Sequence, residues 1–287
     1  MHKTMVTVFK QPVSRNRRVM LSDEHETAIR EKGFVKVPFF TPSEAEETLS
    51  FYEREYEEMG GGYQSTLFST NPTYRRNVDL YLKQMVADGV NRYLYNYRPV
   101  VCTFLVKHSD RDTAVNLHAD WSLTDELKFQ SMILWVSLMD IDETNGALHF
   151  LPGSHKYTDK VRGHGLPFAY ENFDKELLKK HEEIVCTRKG EAIIFDLSCL
   201  HYSPNNKTSK ARIAFNVGLI PNEAPSLHFC SYKELNAGQM EIYEVGDEFY
   251  HQYQLNEKPI FAKRIWNGDY SRNGASNQEL EEIYRSL

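Results

Sequence analysis

The feature that most limits the fold is a series of short β-rich runs between residues 99 and 221, separated by turn-forming residues. Runs this short, rich in branched and aromatic residues, are typical of strands rather than helices. Their connections show no helical period, so the strands should pair mainly antiparallel. We therefore expect a mainly β fold with flanking helices, of the sandwich or jelly-roll type. The runs are PVVCTFLVKH, TAVNLHAD, SMILWVSLMDI, ALHFLP, EEIVCTRKG, EAIIFDLS and ARIAFNVGLIP.

Two dipeptides within this region predict turns. Asn145-Gly146 is favoured in tight hairpins, because both residues tolerate a positive φ. Pro152-Gly153 marks a second turn.

The residues before this region have a helical pattern. In FTPSEAEETLSFYEREYEEMGGG, Thr41 can cap a helix, Pro42 suits its first turn and Glu44 completes a capping box. The pattern predicts a helix that ends at the glycines from Gly60, and a second helix within residues 74–97. The apolar positions of the first helix repeat every three or four residues: Ala45, Leu49, Tyr52, Tyr56 and Met59.

Length and pattern predict one domain over residues 1–287. Within it we expect a mainly helical N-terminal layer (1–98), a β core (99–220) and a C-terminal extension (221–287) that closes with a short helix in SNQELEEIYRSL.

Composition excludes several classes of function. The net charge of −6 and the pI near 6.0 disfavour nucleic acid and anionic membranes as partners, with SRNRR as a local basic exception. The first thirty residues lack the apolar core of a secretory signal, and no apolar run approaches membrane-spanning length, so we expect a soluble cytoplasmic protein. The cysteines form no CxxC pair, which predicts buried free thiols rather than disulfides or a zinc site. They are Cys102, Cys186, Cys199 and Cys230.

A possible metal-binding pair lies in NLHADWS. His118 and Asp120 are two positions apart, so on a strand their side chains point to the same side and can reach one ion. With 11 histidines and 40 acidic residues in the chain, one or two His-x-acid triplets are expected by chance, and three occur. The ordinary explanation of such a triplet is a solvated strand end. The other two, His108-Ser109-Asp110 and His181-Glu182-Glu183, are interpreted as solvated.

A third ligand and an anion-binding group lie further along the chain. Two histidines and one carboxylate on one face of an octahedral ion leave three open positions, an arrangement that suits non-haem Fe(II) enzymes. His201 follows an apolar run, and Arg212 begins the next one eleven residues later. In a jelly roll these strands lie close together, so Arg212 can project into the same cavity. A buried guanidinium needs an anionic partner and binds carboxylates with two hydrogen bonds, which predicts a dicarboxylic cosubstrate.

These segments together resemble the phytanoyl-CoA dioxygenase family of iron(II)- and 2-oxoglutarate-dependent oxygenases. The resemblance covers roughly residues 100 to 220 and is carried by NLHADWS, MILWVSLMDIDETNGALHFLPGSHK and HYSPNNKTSKAR. Ala119 stands where the family often has Gln, at a position that is not a ligand. The matching positions are His118, Asp120, Asn145, Gly146, Pro152, Gly153, Ser154, His155, His201, Ser203 and Arg212.

The resemblance implies a double-stranded β-helix, which is a cupin-like jelly roll, and a set of roles. His118, Asp120 and His201 would bind Fe(II), which also binds 2-oxoglutarate and O2. Arg212 would pair with the far carboxylate of 2-oxoglutarate, with Ser203 beside it. The reaction would release succinate and CO2 and hydroxylate an unactivated C–H bond of a small molecule. The carboxylate of Asp120 argues against halogenation, since related halogenases have a small residue there.

Other residues have weaker assignments. Trp135 would line the cosubstrate pocket or be an ordinary core tryptophan. Lys107 and Trp121 would contact the cosubstrate or the substrate. Alternatively, Lys107 would be an ordinary surface lysine and Trp121 an aromatic residue packed at the rim. His155 is interpreted as a loop-structuring residue, and Gly163-His164-Gly165 as part of a flexible lid.

Substrate and outcome leave alternatives open. A natural-product or amino-acid-like substrate is favoured over an acyl-CoA, with arginines such as Arg75, Arg76 and Arg162 available for an anionic group. The same machinery could give desaturation, cyclisation or epimerisation. A catalytically silent jelly roll that binds a ligand is a further alternative.

Overall fold

Six α-helices and thirteen strands are described in the computed structural model, which covers residues 17–60, 62–109, 112–232, 235 and 238–287. Most of the basic stretch SRNRR and Asp110 of the first His-x-Asp triplet lie outside these residues. The helices are α1 (Asp23–Glu31), α2 (Pro42–Glu55), α3 (Pro72–Tyr93), α4 (Lys175–His181), α5 (Phe249–Gln252) and α6 (Asn277–Arg285). The strands are β1 (Phe34–Pro38), β2 (Tyr63–Ser65), β3 (Tyr97–Lys107), β4 (Val115–His118), β5 (Met132–Ser137), β6 (Leu148–Phe150), β7 (Glu183–Val185), β8 (Glu191–Asp196), β9 (His201–Ser203), β10 (Arg212–Pro221), β11 (Leu227–Cys230), β12 (Gln239–Glu244) and β13 (Lys263–Asp269).

Two antiparallel sheets form the β core. The larger has the order β1-β8-β5-β10-β3-β2, and the smaller has the order β4-β9-β6-β7. Apolar side chains from both sheets meet between them: Phe150 of the smaller sheet packs edge-on against Phe195 of the larger at 5.1 Å between ring centroids. Neighbours in both sheets are far apart in sequence, as in a jelly roll. The predicted mainly β jelly roll is confirmed.

The N-terminal helices cover the outer face of the larger sheet. Val78, Leu82 and Val86 repeat along one face of α3. They pack with Phe104 of β3 and Phe215 of β10, whose side chains lie on the outer face of the sheet. The N-terminal segment also contributes β1 and β2 to the edges of that sheet. Neither strand was predicted, because five and three residues are too few to show a clear alternation.

The predicted capping box of α2 is present, but the helix is shorter than expected. Thr41 and Glu44 bond reciprocally across the first turn. The helix ends at Glu55 rather than at Gly60, and Tyr56, which is 39% exposed, leaves the helical conformation with ψ at 128°. After the end of α2, the carboxylate of Glu57 accepts hydrogen bonds from the side chains of Ser69 and Asn71. These bonds hold the chain next to the start of α3. A long-range contact therefore ends a helix that its periodicity would extend.

The Asn145-Gly146 turn connects strands of different sheets, so the predicted tight hairpin was wrong. β5 pairs with β8 and β10, whereas β6 pairs with β7 and β9. The turn is closed by side chains: Asn145 donates to the carbonyl of Asp140 at 2.9 Å and accepts from the N–H of Asp142 at 2.8 Å. A dipeptide reports turn propensity but not which strands pair. The second turn, at Pro152-Gly153, is present, with Gly153 at φ 79°.

The C-terminal extension forms a third sheet, β11-β12-β13, and ends in the expected helix α6. α6 packs on α4, and the hydroxyl of Tyr284 donates to the carbonyl of Pro152 at 2.5 Å. The division of the chain into three segments stays a prediction.

The four cysteines are free thiols, and three are buried. Cys186 is exposed, contrary to expectation, because it follows the end of the edge strand β7. Among the described residues, no helix combines the length and apolar character needed to span a membrane.

Candidate metal centre

Three predicted ligand residues converge at one end of the smaller sheet. His118 ends β4 and lies in register opposite His201 at the start of β9. Asp120 follows two residues after the strand, and its carboxylate lies 3.7 Å from His118 Nε2 and 3.9 Å from His201 Nε2. One donor atom from each residue lies within 4.8 Å of the others. The group can hold a single metal ion, which the spacing of His118 and Asp120 alone did not establish.

Both imidazoles are held in the orientation that metal binding needs. The Nδ1 atom of His118 lies 2.8 Å from the carbonyl of Asn116, and that of His201 lies 3.0 Å from the carbonyl of Cys199. A carbonyl only accepts, so each Nδ1 carries the proton and each Nε2 presents a lone pair toward Asp120. Such hydrogen bonds from the far ring nitrogen are usual for histidine ligands.

Electrostatics favour a bound cation. Burial would raise the pKa of Asp120, but the neighbouring imidazoles of His118 and His201 and the nearby charge of Arg162 lower it below its ordinary value. Burial and the neighbouring His118 lower the pKa of His201 to about 4, so this ring is neutral near pH 7. Burial also acts to lower the pKa of His118, but the carboxylate of Asp120 outweighs it and raises that pKa. A carboxylate between two imidazoles is a donor set that suits Fe(II) or a similar divalent ion.

Arg212 supplies a buried positive charge in the same pocket. It begins β10, is 2% exposed, and its Nε and Nη1 atoms have no hydrogen-bond partner among the described residues. Burial lowers its pKa to about 10, so it stays charged near neutral pH. A buried guanidinium is stable only with an anion beside it. The pocket therefore fits a ligand that brings a carboxylate to Arg212 while it reaches the metal group.

The metal group and Arg212 line one and the same pocket. Trp135 and Ser203, both predicted for the cosubstrate, line it, and the guanidinium of Arg212 lies 5.5 Å from the ring of Trp135. The lining residues are Tyr63, Leu105, Val115, His118, Asp120, Trp135, Leu148, Phe195, His201, Ser203, Arg212 and Asn216.

Lys107 lies behind this pocket, so its alternative assignment as a surface lysine was wrong. Its side chain is fully buried, and Nζ donates to the carbonyls of Ser203 at 3.0 Å and Pro204 at 2.6 Å. Burial and the nearby charge of Arg212 lower its pKa to about 7. These bonds hold the end of β9 next to β3. Direct contact between Lys107 and the cosubstrate stays a prediction.

Two arginines considered for an anionic substrate are engaged elsewhere. Arg162 donates through Nε to the carbonyl of Asp120 at 2.6 Å and pairs with the buried carboxylate of Glu126 at 2.9 Å. Its Nη1 donates to the carbonyl of Asp159. Arg75 donates to three backbone carbonyls. Arg162 therefore supports the chain at Asp120, a role without any sequence signal because 42 residues separate the two.

Two pocket residues had no assigned role. Asn216 lies four residues after Arg212 on β10, so the two-residue period of a strand puts both on one face, a signal that was available. Tyr63 belongs to the unpredicted strand β2 and lies opposite Lys107, which lies opposite Arg212. Burial raises the pKa of Tyr63 to about 12, so it is a neutral donor in the pocket.

The middle residue of the third His-x-acid triplet, Glu182, is engaged in side-chain contacts. The carboxylate of Glu182 accepts from the hydroxyl of Tyr202 and lies 3.2 Å from Nδ1 of the buried His149. Tyr202 and His149 are register partners on the opposite face of the smaller sheet from His201 and Phe150. This cluster therefore belongs to the packing of α4 and not to the metal group.

Comparisons with known proteins identify a family for the chain. The family model for phytanoyl-CoA dioxygenase (PhyH) matches residues 29–214. A phytanoyl-CoA dioxygenase domain-containing protein 1 homolog of Dictyostelium discoideum is 26% identical over 137 residues, which span 45% of this chain and 49% of that protein. The chain thus aligns with about half the length of this relative.

Two solved structures share the fold. The epimerase SnoN, in complex with Fe3+, alpha-ketoglutarate and nogalamycin RO, has a TM-score of 0.53 at 21% identity, over 71% of this chain and 85% of SnoN. HygX from Streptomyces hygroscopicus, with nickel and 2-oxoglutarate bound, has a TM-score of 0.52 at 19% identity, over 76% of this chain and 92% of HygX. With the family model spanning most of the chain and the jelly roll present, the chain belongs to the phytanoyl-CoA dioxygenase family of iron- and 2-oxoglutarate-dependent oxygenases.

Proposed function

We propose that the protein is an active dioxygenase that uses Fe(II) and 2-oxoglutarate to hydroxylate an unactivated C–H bond of a small molecule. One observation carries the proposal: Arg212, whose Nε and Nη1 atoms have no hydrogen-bond partner in the described part of the chain, lines the same pocket as His118, Asp120 and His201. A dicarboxylate that spans the two groups satisfies both the metal and the buried charge.

Each residue then has a defined task. His118, Asp120 and His201 hold Fe(II), and Arg212 pairs with the far carboxylate of 2-oxoglutarate, with the hydroxyl of Ser203 beside it. When bound, iron and O2 supply the oxidation that converts 2-oxoglutarate to succinate and CO2 and adds one oxygen atom to the substrate. The apolar walls of the pocket exclude water from that oxidation. They are formed by Leu105, Val115, Trp135, Leu148 and Phe195.

The hydrogen bonds of Arg75 and Arg162, two of the three arginines considered for an anionic group, favour a substrate other than an acyl-CoA. A coenzyme A group carries several phosphates, which need free cations. The nitrogens of Arg162 are engaged with Asp120, Asp159 and Glu126, and those of Arg75 with the main chain. We therefore favour a natural-product or amino-acid-like substrate. HygX with hygromycin B and SnoN with nogalamycin RO are examples of this fold with small molecules bound.

A different outcome of the same oxidation is the second candidate, and the observation that favours it is the shared fold with the epimerase SnoN. Epimerisation leaves the substrate mass unchanged, hydroxylation adds one oxygen, and desaturation or cyclisation removes two hydrogens. The mass of the product therefore separates these outcomes.

The test is anaerobic titration of the purified protein with Fe(II) and 2-oxoglutarate. We expect a weak visible charge-transfer band from the chelate, and succinate release after O2 is admitted. Arg212→Met should shift the band to higher 2-oxoglutarate concentration, and Arg76→Met, at an exposed position, should not. A protein that forms the band but never releases succinate would be a silent binding jelly roll. A protein that forms no band would refute the metal site.

A further inference from the structure

A row of aromatic and imidazole side chains leads from the metal group into the C-terminal extension. Trp121 directly follows Asp120 and is 39% exposed. The ring of His164 contacts it edge-on at 5.7 Å between centroids and lies 6.4 Å from the ring of Tyr232. Behind them the hydroxyl of Tyr232 lies 3.3 Å from Nε2 of the buried His228. The chain thus places a ring surface at the residue next to a proposed metal ligand.

Hydrogen bonds bring the segment before His164 alongside the segment after Asp120. The N–H of Ser122 donates to the carbonyl of Arg162 at 3.1 Å, and the N–H of Arg162 donates to the hydroxyl of Ser122 at 3.1 Å. The guanidinium of Arg162 also reaches the carbonyl of Asp120. His164, two residues after Arg162, is therefore held next to Trp121, the residue that follows Asp120 of the pocket.

The two glycines around His164 serve close packing, so the predicted flexible lid was wrong. A Cβ atom on Gly163 would lie 2.1 Å from the carbonyl oxygen of Phe229, and one on Gly165 would lie 2.1 Å from that of Ser231. The N–H of His164 donates to the carbonyl of Phe229 at 3.1 Å, and the N–H of Ser231 donates to the carbonyl of His164 at 2.7 Å. The segment is therefore bound along β11, and the third sheet fixes the position of His164.

The His164 ring has hydrogen-bonding capacity left over. It is partly exposed, and within the described part of the chain its nitrogens make no hydrogen bond. A neutral imidazole offers one donor and one acceptor, which suits a hydroxyl group that both donates and accepts. The neighbouring Trp121 offers a flat apolar surface of the kind that packs against rings.

We propose that Trp121 and His164 form the substrate-binding rim of this site and bind a ring that carries hydroxyl groups. This inference rests on the proposed function and gives the C-terminal extension a role, because β11 holds His164 in place. The ring packs on the face of Trp121, and its hydroxyl groups bond to the His164 imidazole. Arg162 is engaged in hydrogen bonds and an ion pair and therefore offers no free charge to an anionic group on the ring.

The test measures binding by ligand-observed NMR to the full chain loaded with 2-oxoglutarate and Zn(II), a metal without redox chemistry. The probes are methyl α-glucopyranoside as a saturated hydroxylated ring, catechol as an aromatic one, and palmitoyl-CoA as an acyclic anionic comparison. We expect saturable binding of at least one ring compound. That affinity should fall about tenfold in Trp121→Ala and about fivefold in His164→Ala. Which ring compound binds tells a sugar-like substrate from a phenolic one.

Conservative and control variants separate recognition from misfolding. His164→Gln keeps a donor and an acceptor and should retain most of the affinity. His25→Ala on α1 and Trp266→Phe on β13 change the same residue types elsewhere and should bind as the parent does. All variants should keep the Fe(II)/2-oxoglutarate band, which tests the proposed function separately. Ring binding that is equal in all variants, or preference for palmitoyl-CoA over both ring compounds, would overturn the inference.

Discussion

His118 and His201 lie directly opposite each other on β4 and β9, with their ring centroids 4.2 Å apart. Each ring is oriented by a carbonyl two residues earlier in its own segment, Asn116 for one and Cys199 for the other. Both Nε2 atoms consequently point to Asp120 without help from a ligand. The donor group is preorganised, so metal binding requires little rearrangement of the chain.

Loss of one imidazole should abolish metal retention. His201→Ala removes one of the proposed donors from a buried position, and we expect apparent Fe(II) affinity to fall more than about 100-fold, since residues that merely orient ligands already cost about 10–100-fold. Metal content after anaerobic gel filtration measures the effect. His149→Gln, on the opposite face of the same sheet, is the matched control and should retain iron. Equal iron content in both variants would mean that the metal lies elsewhere.

Arg212 should set the requirement for 2-oxoglutarate. A hydrogen bond to a charged group contributes about 1.5–3 kcal/mol, so Arg212→Met should raise the KM for 2-oxoglutarate about 10- to 100-fold and leave turnover at saturation within a few-fold. Arg212→Lys keeps the charge but not the planar guanidinium, so its KM for 2-oxoglutarate should lie between those of the parent and Arg212→Met. Succinate release as a function of 2-oxoglutarate concentration measures this, with Arg76→Met as the exposed control. A fall in saturated turnover at unchanged KM would contradict the assignment.

Arg162 should act by positioning Asp120. Its Nε bond to the Asp120 carbonyl fixes the segment that carries the carboxylate. Arg162→Met alone leaves Glu126 buried without its partner, so the informative variant is the pair Arg162→Met/Glu126→Gln. We expect it to fold and to bind Fe(II) about 10–100-fold more weakly, with the 2-oxoglutarate dependence of the loaded enzyme nearly unchanged. Parent-like iron affinity in a folded double variant would show that the Asp120 segment holds its position without Arg162.

Stability should depend on pH through Glu126. Burial raises the pKa of this acid to about 7, although the charge of Arg162 opposes the shift. Between these two pKa values the folded chain keeps the Glu126 proton that the unfolded chain releases. The contribution of this proton to the free energy of unfolding is complete below the ordinary pKa of 4.5 and is lost as the pH rises to about 7. Glu126→Gln cannot lose a proton and should gain stability relative to the parent across that window. Urea unfolding from about pH 5 to about pH 8 measures the difference, and a pH-independent difference would contradict the shift.

Gly163 should be intolerant of any side chain. A methyl group there would overlap the backbone of Phe229, so Gly163→Ala must displace β11 from the segment around His164. We expect a loss of about 1–3 kcal/mol in the free energy of unfolding, as for other overpacked sites. Gly60→Ala is a useful control for space, because a Cβ at Gly60 meets no atom within 4 Å, although its φ of +71° adds some backbone strain. Thermal unfolding compares the two, and a fully stable Gly163→Ala would contradict the close packing.

Local rules were enough for much of the fold and for the residue types of the site. The capping box marked the start of α2, seven β-rich runs each contain a strand of the jelly roll, and alternation predicted that His118 and Asp120 reach one ion, although β4 ends at His118. These features depend on neighbours within a few residues, where backbone geometry alone decides which way a side chain points. The segments NLHADWS, MILWVSLMDIDETNGALHFLPGSHK and HYSPNNKTSKAR, in that order, were enough to identify the family.

Tertiary structure decided the rest, because those contacts join residues whose separation in sequence carries no periodic signal. The three-residue strand β9 exists through its pairing with β4 and β6. Lys107 is buried because β9 passes over it, Arg162 supports Asp120 from 42 residues away, and the glycines around His164 are required only because β11 lies against them. Alternation and capping act through backbone geometry over a few residues. Burial, pKa and close packing depend on what the rest of the chain places nearby, which no local pattern records.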